Sequence, residues 1–228
     1  MGDNMNHKQL LALFLSLVII LSPTIISIEN EKVVDVKAAN NNIDEITIES
    51  IIEKNDDVDI NIYYPVTKNS KVNNMIKDKI DSYITKLKET NSFDSTKKLN
   101  ISFETFKSGE YISLKFNVSS SAGITHKTDE VFTFVYTNDE IIDIDTLTKS
   151  NPKLIENLYS VCKEELLKNE KFKKYSNIEW LNRGLLKNKN TFSKFIFDGD
   201  NMIVIFNPYE VAPYVAGIFE IKISCNLI

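Results

Sequence analysis

Residues 202–224 read M-I-V-I-F-N-P-Y-E-V-A-P-Y-V-A-G-I-F-E-I-K-I-S. Two β patterns, Met202–Phe206 and Ile218–Ser224, flank a connection that holds two Pro-Tyr pairs and one Glu. In the second pattern Phe219, Ile221, Ile223 and Cys225 face one way and Glu220 and Lys222 the other, the period of a half-buried strand. Pro208 and Pro213 fix φ at two points, and Gly217 permits an unusual backbone angle before the last strand. The stretch therefore reads as a β–β connection of fixed shape. The direction of the Tyr209 and Tyr214 rings separates an architectural corner from a recognition loop.

Upstream, Asp198-Gly199-Asp200-Asn201 is a turn after a strand over Thr191–Phe197. It looks superficially like a calcium loop, but the remaining ligands and the closing Glu are missing. Near the start of the ordered pattern, Ile46–Ile52 is β-rich. Val58, Ile60, Ile62 and Tyr64 then alternate with polar residues until Pro65, which is expected to end the strand. Val72, Met75, Ile76, Ile80, Tyr83, Ile84 and Leu87 recur at three and four, the stripe of an amphipathic helix with Ser70 as its expected cap. Strands follow over Leu99–Phe106, Tyr111–Val118 and Val131–Thr137, the first two joined by a hairpin turn at residues 107–110. Ile141–Ile144 comes next. Ser150-Asn151-Pro152 is expected to open a helix with Leu154, Ile155, Leu158, Val161, Cys162 and Leu166 on its apolar face, and Trp180, Leu181, Leu185 and Leu186 suggest a shorter helical piece that Gly184 would break. These elements predict an α+β fold, a largely antiparallel sheet packed against two to three helices in the order ββα-βββ-αα-βββ.

The chain has 228 residues, 43% hydrophobic and 26% charged, with a net charge of −5. That composition supports one good-sized core. Arg183 is its only arginine and no basic stripe is present, which argues against nucleic acid as a partner.

At the N-terminus His7 and Lys8 precede an apolar run, Leu10–Leu21, interrupted by Ser16 alone, then Ser22-Pro23. This is the pattern of a secretory signal, with cleavage expected near Ala38 or Ala39. An uncleaved membrane anchor over Leu10–Ile28 is the alternative. Residues 1–39 are thus expected to be signal or anchor, residues 40–45 a flexible lead-in, and the chain beyond them extracellular or at the cell surface. Cys162 and Cys225 are an even pair in a compartment that permits a disulfide, and two thiols on apolar faces are the alternative.

Much chemistry is excluded. Beyond the leader His126 is the lone histidine, so paired-His metal sites cannot form within this chain. No nucleophile elbow, phosphate loop or dinucleotide fingerprint occurs. No cofactor and no metal are expected. Glu210, with Asp198 or Asp200 as partner, is the weak candidate for carboxylate hydrolysis of a glycan.

The tail I-V-I-F-N-P-Y-E-V-A-P-Y-V-A-G-I-F-E-I-K-I resembles the C-terminal signature of an extracellular domain of unknown function. That domain forms the lysozyme-binding ectodomain of RsiV-type anti-sigma factors and the N-terminal region of PdaC-type peptidoglycan N-acetylmuramic acid deacetylases. The stretch A-G-I-T-H, with the F-T-F-V-Y-T-N-D-E-I-I-D-I-D-T-L that follows, is more loosely similar to the family's Gly-Gly-Ala-His loop and the strand after it. Gly123 and His126 keep two of that loop's positions, whereas Ile124 stands where the second Gly would be. The likeness runs over residues 46–226, with 46–95 as a companion subdomain and 96–228 as the signature subdomain. Nine residues precede Leu10, too few for a sigma-binding domain, and the chain ends one strand after the signature, so the domain is expected to stand alone. The resemblance implies a non-catalytic extracellular binding module of the cell envelope. Its ligand would be a wall glycan or a lysozyme-like protein, met by Tyr209, Glu210, Pro213, Tyr214, Gly123 and His126.

Overall fold

In the computed structural model of the chain the described residues are 46–90, 96–122, 127–138 and 140–227. The expected signal or anchor, the lead-in, Gly123 and His126 lie outside them. Among the described residues no helix is long and apolar enough to cross a membrane.

The elements in chain order are β1 (Thr47–Lys54), β2 (Val58–Val66), α1 (Ser70–Glu89), β3 (Lys97–Ser108), β4 (Tyr111–Ser121) and β5 (Thr128–Tyr136). Four short helices follow: α2 (Ile144–Ser150), α3 (Leu154–Lys168), α4 (Glu170–Tyr175) and α5 (Ile178–Gly184). The chain closes with β6 (Phe195–Asp198), β7 (Asn201–Phe206) and β8 (Phe219–Ser224). The fold is α+β, as expected from the pattern. The strands are divided between two sheets, of order β1-β2-β3-β4-β5 and β6-β7-β8.

Neighbouring strands in both sheets are antiparallel except β2 and β3, which run parallel from Val58↔Lys97 to Ile62↔Ile101. Helix α1 makes that crossover. Residues 46–95 and 96–228, read from the sequence as two subdomains, therefore contribute strands to one sheet. Pro65 does not stop β2, which continues to Val66 with Pro65 opposite Ile48. Pairing with β3 has already ended at Ile62, so no donor is required of residue 65.

Of the predicted stripe, helix α1 buries Val72, Ile76, Ile80 and Leu87 against the inner face of the five-stranded sheet, with Met75, Tyr83 and Ile84 partly buried. That face supplies Ile60, Ile62, Leu99, Ile101, Leu114 and Phe116. Asn69 rather than Ser70 caps the helix, its side chain accepting from the backbone N–H groups of Lys71 and Val72. A second core joins α2–α5 to the three-stranded sheet through Leu158, Cys162, Leu166, Phe192, Phe195, Met202, Val204 and Phe206. Here Asp143, Asn169 and Asn177 cap α2, α4 and α5. Helix α3 starts at Leu154, three residues past the expected opening, with no side-chain cap. Ile141 makes only a bridge to Tyr136, and Ile144 already belongs to α2. The expected strand over Thr191–Phe197 is shorter, since Asn190–Phe192 forms a 3-10 turn that buries Phe192 and β6 begins at Phe195.

Polar groups join the two sheets. The buried Ser113 hydroxyl of β4 accepts the backbone N–H of Phe197 at 2.9 Å. Lys115, also on β4, reaches Glu220 of β8 at 2.7 Å and Glu104 of β3 at 3.2 Å. Burial acts to lower the Lys115 pKa, but the two carboxylates outweigh it and hold the ammonium above its ordinary value.

Candidate functional site

The connection between β7 and β8 begins with a tight turn over Asn207-Pro208-Tyr209-Glu210. The Glu210 N–H donates to the Asn207 carbonyl at 3.1 Å. Pro208 occupies the second position, and Tyr209 in the third has φ +70°. This is the type II pattern, whose third position normally requires Gly or Asn. Tyr209 is the sole non-glycine residue with positive φ among the described residues. Holding a side chain there costs on the order of 1 kcal/mol.

Glu210 locks the turn. Its Oε2 accepts the Asn207 backbone N–H at 2.8 Å, and its Oε1 meets Lys194 Nζ at 2.7 Å. The Asn207 side chain then docks on the free edge of β5. Its Oδ1 accepts from Val131 N at 2.8 Å and its Nδ2 donates to Val131 O at 3.0 Å, a two-way bond that imitates a strand partner. Farther along the same edge, Val135 O accepts the Ile142 N–H at 2.8 Å. The Tyr214 hydroxyl donates to the Lys127 carbonyl just before β5 begins. The connection and Ile142 thus cover an edge that would otherwise be open to pairing.

The inner side of the connection is core. Val211, Ala212 and Ala216 are buried with Phe206 and Phe219. A methyl group on Gly184, at the end of α5, would lie 1.6 Å from the Glu210 carbonyl oxygen, so only glycine fits there. Gly217 adopts φ 65° and ψ −156°, a region that only glycine enters without strain, and so directs the chain into β8. Lys171 of α4 clamps the exit by donating to Ile218 O at 2.6 Å, with its ammonium 4.2 Å from the Phe219 ring centroid.

The outer side is aromatic. Tyr209 is 65% exposed, and Tyr214 is half-buried. Their rings stack with centroids 5.8 Å apart and planes at 29°. The sequence left open whether these rings point inward or outward. The Tyr209 ring stands in solvent, and Val211 and Ala212 take the inward positions.

The structure thus brings Tyr209, Glu210, Pro213 and Tyr214 into one connection. Glu210 is a structural anchor, held by an ammonium and a backbone N–H. It is not set against a second carboxylate from the Asp198–Asn201 turn. That turn closes the β6–β7 hairpin at the opposite end of β7, where Asp198 pairs with Asn201. Six residues of strand, about 17 Å, intervene. A glycosidase pair needs roughly 5–9.5 Å. Among the described residues no group of three or more His, Cys, Asp or Glu side chains could hold a metal ion. Cys162, buried in α3, and Cys225, half-buried after β8, are both free thiols. Sequence reading missed Asn207, Lys194 and Gly184. An Asn between the end of a strand and a Pro was the available signal for the first. The other two depend on contacts across the fold.

Residues 145–226 match the model of a family described as "Protein of unknown function (DUF3298)", which takes in α2–α5, the second sheet and the Tyr209–Tyr214 connection. No curated protein matches the chain. Two solved structures share its architecture. One is a DUF3298 family protein from Pseudomonas aeruginosa PAO1, with TM-score 0.58 and 9% identity over 79% of this chain and 91% of that one. The other is a DUF3298 family member from Bacteroides fragilis NCTC 9343, with TM-score 0.50 and 15% identity over the same shares. At these identities the likeness concerns the fold.

Proposed function

We propose that this chain is a non-catalytic binding module of the bacterial cell envelope, with the Tyr209–Tyr214 pair as its contact face. The observation that carries the reading is the conformation of Tyr209. A position that backbone energetics would give to Gly holds a bulky aromatic, strained and turned into solvent. The ring stacks on Tyr214 but buries little of itself in the fold, so folding gains little from it, whereas a ligand would gain a contact face. Stacked tyrosines on a connection locked by Glu210, Asn207 and Gly217 offer flat contact area at low entropic cost.

The ligand in this reading is a wall glycan or a lysozyme-like protein, following the resemblance of the tail to the RsiV- and PdaC-type extracellular domain. Export through the N-terminal segment belongs to the same proposal, and the mass of the mature protein tests it. Hydrolysis of peptidoglycan is not favoured, since Glu210 is engaged by Lys194 and the Asn207 N–H, and Asp198 and Asp200 sit in the turn at the opposite end of β7. Co-sedimentation with insoluble peptidoglycan and capture on immobilised lysozyme separate the two ligands. Retention by one of them at micromolar protein is expected. Failure to bind either would count against the module.

A further inference from the structure

Strand β1 is the terminal strand of the five-stranded sheet. Its register with β2 is unbroken from Thr47↔Val66 to Lys54↔Asp59, with no bulge and no proline in β1. At the hairpin end the Asn55 N–H donates to Val58 O, which marks 55 and 58 as a hydrogen-bonded pair. Bonded and non-bonded pairs alternate along an antiparallel ladder. The odd residues 47, 49, 51 and 53 therefore bond to β2. The N–H and C=O groups of Ile48, Ser50, Ile52 and Lys54 point away from the sheet along an edge with which no other described strand pairs.

The same even residues present their side chains on the face opposite α1. Ile48 is 52% exposed and Ile52 64% exposed, with Ser50 between them. An edge left unpaired by the described strands and flanked by exposed isoleucines is suited to pairing with another strand.

Its own sequence selects the partner. When two β1 strands meet antiparallel about a two-fold axis at Ser50, Ser50 faces Ser50 of the other copy as a bonded pair. Ile48 then faces Ile52 twice, and the exposed isoleucines close into one four-residue cluster. On the inner face Glu49 faces Ile51 and Thr47 faces Glu53, so no like charges stand directly opposite. A slip of two residues one way sets Glu49 against Glu49, and the other way sets Glu49 against Glu53. The two carboxylates are also held on their own subunit, Glu49 by the Tyr64 hydroxyl at 2.6 Å and Glu53 by Lys88 at 2.7 Å.

We propose that two copies of this chain associate through β1 about an axis at Ser50, joining their five-stranded sheets into one continuous ten-stranded sheet. The contact is self-complementary in backbone bonding, apolar pairing and charge, and it leaves the Tyr209–Tyr214 face free.

Sedimentation equilibrium of the mature chain, with single-cysteine variants bridged by a short bis-maleimide, tests it. Ser50→Cys is expected to link efficiently, because bonded pairs lie about 5.5 Å apart at Cα. Lys54→Cys is expected not to link, because the two copies of residue 54 lie about 26 Å apart along the strands. Ser50→Pro removes an edge donor that β2 does not use, and Ile52→Lys places a charge in the cluster. Each should raise the dimer Kd at least about tenfold. A chain that remains monomeric up to about 1 mM with no Ser50→Cys bridging overturns the proposal. So does a dimer in which Lys54→Cys links as readily as Ser50→Cys.

Discussion

Gly184 and Glu210 meet backbone to backbone: a methyl group on Gly184 would lie 1.6 Å from the Glu210 carbonyl oxygen. The end of α5 therefore sets the height at which the Tyr209 turn sits above the second core. Gly184→Ala cannot be absorbed by a flexible side chain, because the obstructing atom is main chain. The variant is expected to lose about 3 kcal/mol or more, read as a shift of the urea midpoint. An unchanged midpoint would mean that α5 and the connection are not in contact in solution.

Glu210 serves the turn rather than a reaction. Glu210→Ala removes the acceptor of the Asn207 N–H and the partner of Lys194, and should cost about 2 kcal/mol. Glu210→Gln keeps an acceptor oxygen and should cost less than about 1 kcal/mol. If the two variants were equally stable, the carboxylate would not be holding the turn.

The fold should weaken in alkali. The hydrogen bond to the Glu49 carboxylate, with burial behind it, pushes the Tyr64 phenol up to about 12. Burial pushes the Tyr136 phenol and the Cys162 thiol to about 12, and it raises Tyr83 as well. An unfolded chain releases these protons near pH 10 for Tyr and about 8.5 for Cys. Above that range the unfolded state binds fewer protons than the folded one, so stability falls as pH rises. It is complete below about pH 8.5 and lost progressively toward pH 12. Urea midpoints at pH 8, 9, 10 and 11 should decline steadily, and Tyr136→Phe should flatten the decline. A midpoint constant across this range would contradict the assignment.

The two thiols should differ in reactivity. Cys225 is half-buried and Cys162 lies inside the second core. A thiol reagent added to native protein purified without reductant is expected to modify Cys225 readily and Cys162 only on unfolding. Two thiols should be titrated after denaturation. None titrated would show that the pair had oxidised to a disulfide.

Short-range chemistry was legible in the sequence, and long-range pairing was not. The 3.6-residue stripe of α1 and the hairpin turns at residues 107–110 and 198–201 are local, and each appears where its residues placed it. The division into two sheets depends on which strands meet across the fold. The parallel join of β2 to β3 depends on a crossover that no single segment announces. The cap of α1 was expected at Ser70 and lies one residue earlier, at Asn69. Asn69 holds extended backbone angles while Ser70 is already helical, which only the structure decides. In the connection, Pro208, Pro213 and Gly217 disclosed a fixed shape. The positive φ of Tyr209 was invisible, because Tyr is a poor residue for that position and turn rules would have placed Gly there.

That mismatch supplies the most direct test. Tyr209→Gly should fold at least as well as the parent chain, with a melting temperature unchanged or higher, because relief of about 1 kcal/mol of strain offsets the added entropy of glycine. Titration of parent and variant with solubilised wall glycan, and separately with lysozyme, then isolates the role of the ring. The ligand bound by the parent should be bound at least about tenfold more weakly by Tyr209→Gly. Equal affinities in the two proteins would contradict that role.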